Sequence, residues 1–97
     1  MKIFPFKGSS MLPTIPYDCE IIATPLRNIE IGDIYIYLDE DIDSKTKLVC
    51  HRLIKLLDGN FLFKGDNRCI ADKPISKDKI LWKYEGWINA NFTNRVD

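Results

Sequence analysis

Three short segments of the chain carry side chains able to support nucleophilic chemistry: a serine turn, a lone histidine and a pair of carboxylates. The serine lies in Gly8-Ser9-Ser10-Met11-Leu12-Pro13-Thr14. A serine hydroxyl attacks poorly until a base takes its proton, so a catalytic serine must be exposed and rigidly aimed. Gly8 lets the backbone bend or approach a substrate closely. Pro13 fixes the chain just downstream and, lacking an N–H, stops a strand from continuing. Read structurally, the same heptad is an ordinary Ser/Pro turn. His51 is the only histidine, in Leu48-Val49-Cys50-His51-Arg52-Leu53-Ile54. An unperturbed imidazole titrates near pH 6.5, which suits a general base at neutral pH. A histidine on a half-buried strand also has a purely structural reading, as a satisfied core residue. The carboxylates are Asp66 and Asp72, six positions apart in Lys64-Gly65-Asp66-Asn67-Arg68-Cys69-Ile70-Ala71-Asp72. One would accept the second imidazole N–H and stabilise the imidazolium, as the acid of a triad does. The other would hold the turn by bonding nearby backbone. From residue type alone, the two roles are interchangeable.

These residues need a scaffold, and the punctuation of the chain predicts a β one. Short runs rich in β-formers are separated by Gly, Pro, Asn and Asp at intervals of roughly 8–12 residues. The expected strands are Lys2–Lys7, Glu20–Thr24, Asp33–Leu38, Lys47–Leu56, Asn60–Lys64 and Ile80–Trp87, giving a mostly β domain of antiparallel strands. Asp58-Gly59 predicts a tight hairpin turn between Lys47–Leu56 and Asn60–Lys64, because Gly tolerates the positive φ of a type I′ turn. Alternation along Lys47–Leu56 puts Val49, His51 and Leu53 on one face and Cys50, Arg52 and Ile54 on the other. The expected core draws on Ile21, Ile34, Ile36, Val49, Leu53, Ile54, Leu62 and Ile80, with Trp82 and Tyr84 closing it and Trp87 either closing it or lining a peptide groove. Phe4, Phe6 and Leu12 are expected to pack inward, because so small a fold needs its apolar residues inside. Asp39–Thr46 reads as a solvated acidic loop. It lacks the glycine and terminal glutamate of a calcium-binding loop. The chain from Asn89 onward reads as a polar tail, and its Asn91-Phe92-Thr93 as a chance match to a glycosylation acceptor.

Size and composition narrow the function classes. A chain of 97 residues is one domain, 1–97, with one modest core. Its 14 basic and 14 acidic residues cancel, so no basic stripe marks a nucleic-acid partner. The longest apolar runs, such as Ile21-Ile22-Ala23 and Phe61-Leu62-Phe63, fall far short of the ~20 residues of a spanning helix. The segment Met1–Lys7 has no extended apolar stretch of the signal-peptide kind. The expectation is a soluble, cytoplasmic protein that meets a membrane only through a partner. Cys19, Cys50 and Cys69 cannot all pair within one chain, and no two have C-x-x-C spacing. Free thiols are expected, with no metal framework and no cofactor.

Four blocks of the chain together resemble the type I signal peptidase family. Gly8-Ser9-Ser10-Met11-Leu12-Pro13-Thr14 is similar to the G-x-S-M-x-P-T signature around the nucleophile, and Gly32-Asp33-Ile34 to the G-D-[IV] that follows it. His51-Arg52-Leu53-Ile54 resembles the H-R-[ILV]-[ILV] of the branch found in archaea, the endoplasmic reticulum and some bacteria, where histidine replaces the commoner lysine base. Lys64-Gly65-Asp66-Asn67 followed by Asp72 resembles the K-G-D-N-x(4)-D block. The four occur in order from Gly8 to Asp72, about two thirds of the chain. The resemblance implies a compact signal-peptidase-like β domain, related to the protease domains of SOS-type repressors. It implies Ser10 as nucleophile, His51 as base, Asp72 as the preferred triad acid, and Asp66 as a nearby carboxylate that orders the loop. It further implies a serine endopeptidase that removes a signal or leader segment from a precursor bound as an extended strand. Small residues such as Ala would stand at the first and third positions before the cut. Oxyanion donors would be chiefly backbone N–H groups, including that of Ser10. Some members add a serine hydroxyl two residues before the nucleophile, where this chain has Gly8, with Ser9 one residue too late. The membrane anchors of typical members, and the second β domain of many bacterial ones, are not expected here. Two other readings stay open: a self-cleaving repressor-type protease with a Ser/Lys dyad, for which Lys55 and Lys64 are the nearest lysines, and a non-catalytic peptide-binding module.

Overall fold

The alternating apolar residues and their Gly, Asn and Asp breaks resolve into six strands: β1 (Lys2–Lys7), β2 (Asp18–Thr24), β3 (Ile34–Glu40), β4 (Thr46–Leu57), β5 (Asn60–Lys64) and β6 (Ile80–Ile88). A 3-10 turn, Lys77–Lys79, precedes β6. They come from a computed structural model that describes residues 1–40 and 45–89. All six expected strands are present, with ends within about two residues of those read from the sequence. Asp39, Glu40 and Thr46, expected in the acidic loop, belong instead to β3 and β4. Residues 41–44 of that loop, and the tail beyond Asn89 with its Asn91-Phe92-Thr93, lie outside the described residues.

The strands form one antiparallel sheet in the order β1-β2-β6-β3-β4-β5. β6 therefore inserts between β2 and β3, joining the β1-β2 pair to the β3-β4-β5 meander. The β4-β5 connection is the expected tight turn, with φ of 50° at Asp58 and 82° at Gly59. Type I′ geometry needs positive φ at both central residues, which Asp tolerates and Gly favours.

Period-2 alternation divides the buried side chains between two clusters. Cys19, Ile21 and Ala23 of β2, Ile34 and Ile36 of β3 and Cys50 of β4 pack with Met11 and Ile15, and Phe4, Phe6, Trp82 and Tyr84 close this cluster. Tyr35 and Tyr37 of β3, Leu53 of β4 and Phe63 of β5 form the other with Ile75 and Ile80, and Val49 joins them. Tyr37 stacks on Phe63 with ring centroids 4.3 Å apart. Of the expected core, Ile21, Ile34, Ile36, Leu53 and Ile80 are buried, while Val49 and Leu62 are half-buried. Ile54 is not a core residue. It is 38% exposed, at the break in the β4-β5 register between Leu53 and Lys55, where a bulge turns it outward. Trp87 is exposed as well. The three cysteines are free, Cys19 and Cys50 buried and Cys69 exposed. Burial pushes the Cys50 thiol up to about 12. Among the described residues no helix is long and apolar enough to cross a membrane.

Candidate active site

Ser10 sits just after β1, where the chain leaves the sheet in a compact turn. The Leu12 N–H donates to the Ser9 carbonyl at 3.3 Å and the Ile15 N–H to the Met11 carbonyl at 2.9 Å. Met11 and Ile15 are fully buried in the first cluster, so two apolar anchors hold the turn against the sheet. A second set of bonds fixes it from across the molecule. The Asn67 N–H donates to the Ser10 carbonyl at 2.8 Å, and the Asn67 side-chain amide donates to the Ser9 carbonyl at 2.9 Å.

The loop after β5 approaches so closely at Gly65 that no side chain fits. A Cβ there would lie 2.7 Å from the Ser10 carbonyl oxygen, 2.9 Å from Arg68 Cγ and 3.2 Å from His51 Nε2. Contacts under 3.0 Å with backbone force something to move, so glycine is required by space.

His51 stands near the middle of β4, opposite Tyr35 in the β3-β4 register, and is only 8% exposed. Its two ring nitrogens face different partners. Nε2 lies 3.0 Å from Ser10 Oγ, and Nδ1 lies 2.5 Å from Asp72 Oδ2. Asp72 is placed by its own backbone, whose N–H donates to the Phe63 carbonyl of β5 at 2.8 Å. Burial opposes ionisation of Asp72, but hydrogen bonds from His51 and Tyr37 outweigh it and keep the carboxyl below its usual range. A carboxylate on Nδ1 holds the ring proton on that nitrogen, leaving the Nε2 lone pair directed at the serine hydroxyl.

Asp66 goes elsewhere. The Arg52 guanidinium grips it at two points, Nε to Oδ1 at 2.9 Å and Nη2 to Oδ2 at 2.7 Å, and Thr14 donates to Oδ2 at 2.5 Å. Arg52 also donates to the Gly32 carbonyl at 2.6 Å. Arg52 and Thr14 hold the Asp66 carboxyl below its usual range against the opposing effect of burial. A bidentate guanidinium–carboxylate pair carries its own geometric specificity. Here it ties the serine turn, β4 and the loop after β5 together. The ambiguity between the two carboxylates is thus resolved by what stands opposite each one.

Ser10, His51 and Asp72 line a cleft of about 690 Å³. The lining comes from Phe6–Ser10, from Arg68–Asp72, and from β4 with Leu48, Val49 and Cys50 beside His51. Ile70, 80% exposed, and Leu48, 47% exposed, give the cleft apolar surface beside the serine. Such apolar area with a few convergent polar groups is typical of binding sites.

Sequence reasoning brought forward Ser10, His51, Asp66 and Asp72 and missed Tyr37, Arg52 and Thr14. Tyr37 donates to the same Asp72 oxygen at 2.5 Å. Its signal was its place on β3, two residues from Tyr35, the cross-strand partner of His51. That is visible only once the pairing register is known. Comparison of the chain with protein-family models, curated proteins and solved structures gives no match.

Proposed function

We propose that this protein is a serine endopeptidase, with Ser10 as nucleophile, His51 as general base and Asp72 as the acid that orients the imidazole. The observation that carries this reading is the unbroken relay from Ser10 Oγ to His51 Nε2 at 3.0 Å and from His51 Nδ1 to Asp72 Oδ2 at 2.5 Å, opening on a cleft. The chemistry is acyl transfer. Ser10 Oγ attacks a peptide carbonyl while His51 Nε2 takes its proton, and Asp72 stabilises the resulting imidazolium. Backbone donors beside Ser10 hold the oxyanion, each worth about 3–4 kcal/mol in the transition state. Collapse breaks the C–N bond, and the leaving amine takes the proton from His51. Water, deprotonated by His51, then attacks the acyl-enzyme and frees Ser10.

The resemblance of the four blocks to type I signal peptidases supports a precursor peptide or protein as substrate, cleaved to remove a signal or leader segment. β1 ends the sheet order, so its outer edge carries backbone groups that an extended peptide can pair with. β1 also leads into the cleft wall at Phe6 and Lys7. In this reading any contact with a membrane is made only through a partner, and no cofactor takes part.

The test compares the protein with its Ser10→Ala variant by mass spectrometry on a library of precursor peptides rich in small residues. Cleavage by the parent that disappears in the variant is the expected result, and the cut positions report the specificity. A folded parent that cuts none of them sinks the peptidase reading and favours a peptide-binding module, and a variant that cuts equally well removes Ser10 as the nucleophile.

A further inference from the structure

We propose that Tyr37 is a positioning residue of this site, a second donor that locks Asp72 against His51 and thereby selects the imidazole tautomer. The inference rests on the peptidase reading for its catalytic meaning but on geometry for its substance. The Tyr37 hydroxyl donates to Asp72 Oδ2 at 2.5 Å, the same oxygen that faces His51 Nδ1, and lies 3.4 Å from that nitrogen. One oxygen thus receives both donors.

Asp72 needs such a lock. Its side chain is 29% exposed, with Arg68 close enough to act on its charge. With His51 as its only side-chain donor, the carboxylate can swing toward solvent or toward that guanidinium. Tyr37 cannot swing in the same way. It is 1% exposed, stacked on Phe63 and embedded in β3 between β4 and β6. The hydroxyl is therefore a fixed point, and the carboxylate oxygen bonded to it is fixed too. Burial, and next the neighbouring Asp72, push the Tyr37 phenol well above its usual range, so it remains a protonated donor throughout neutral and moderately alkaline pH. With Oδ2 pinned opposite Nδ1, the ring proton stays on Nδ1 and the Nε2 lone pair stays toward Ser10 Oγ.

Tyr37→Phe removes the donor and keeps the ring on Phe63, so the fold should be kept, with thermal unfolding lowered only by the loss of one hydrogen bond. Two readouts then apply to the parent, Y37F, D72N and the double variant. One is the pair of imidazole ¹⁵N shifts of the neutral ring, which belong to the only histidine of the chain. The other is the rate at which a fluorophosphonate labels Ser10. We expect a single Nδ1–H tautomer in the parent and a mixture in Y37F, whose labelling slows about tenfold, the fold-change matching loss of one hydrogen bond to a charged group. The double variant should match D72N, because Tyr37 acts only through Asp72. A Y37F protein that keeps the single tautomer overturns the proposal, and so does a double variant that falls further than D72N. If the tautomer changes as expected but Ser10 of the parent is not labelled, the peptidase reading fails while the orienting role of Tyr37 stands.

Discussion

Asp66 and Asp72 share a loop, a residue type and a half-buried setting, yet they do opposite things. Asp66 faces a permanent cation, Arg52, with Thr14 completing its shell. Such a pair has no proton to exchange near neutral pH, and its effect is to hold chain segments in place. Asp72 faces an imidazole, whose proton can come and go, and a tyrosine that cannot move. Under the peptidase reading, the carboxylate opposite an imidazole takes part in the reaction, while the one opposite a guanidinium is a rivet.

Substitutions can break or sharpen that contrast. The largest effect is expected from Asp72→Asn, which keeps the shape but lets the ring proton settle on the wrong nitrogen. Peptide hydrolysis should fall by roughly three to four orders of magnitude, the loss typical of a triad acid made an amide. Thermal unfolding, read on the same sample, should fall far less than activity does, by the modest loss of a carboxylate that folded-state hydrogen bonds hold below its usual range. Gly65→Ala strikes where the carboxylate loop meets the serine turn. Its new methyl collides with the Ser10 carbonyl, so stability should drop by about 1–3 kcal/mol, and activity by roughly a hundredfold as Ser10 and His51 are pushed apart. Full activity in this variant would mean that the close approach is not needed. Asp66→Asn should do the reverse of Asp72→Asn, costing about 1–3 kcal/mol in chemical denaturation and less than about tenfold in activity.

The same variant tests the acid side. Since Asp66 is held below its usual range when folded, its stabilising contribution is complete above the unfolded carboxylate value near pH 4. It is lost as pH falls through the lower folded value. The parent should lose stability across that window more steeply than D66N, and parallel acid curves would place the rivet elsewhere.

Much of this arrangement was legible from residue order. The six strands follow from β-rich runs broken by turn residues, and the Asp58-Gly59 turn from the φ that glycine permits. Ser10, His51 and the two carboxylates stand out because few residue types can do their chemistry. What was not legible depends on contacts between distant segments. Nothing near Asp66 or Asp72 in sequence says which one meets Arg52, since that depends on how the loop folds back across β4. Tyr37 reads as one more β-former until the β3-β4 register sets Tyr35 opposite His51. Met11 and Ile15 are buried in an irregular turn, where no period marks the inward side. Ile54 was misplaced because a bulge in the β4-β5 pairing is invisible in the alternation.

The insertion of β6 has a consequence in time. Ser10 arrives with the β1-β2 pair and His51 with the β3-β4-β5 meander, and the strand that joins these two groups is the last of the six along the chain. During synthesis, both halves of the relay leave the ribosome before the strand that braces them side by side. Contacts of such long sequence separation form late and slowly. Under the peptidase reading, the relay gains its last brace only when residues 80–88 close the sheet. Until then the bonds from Asn67 and the Arg52–Asp66–Thr14 contacts hold its two halves together.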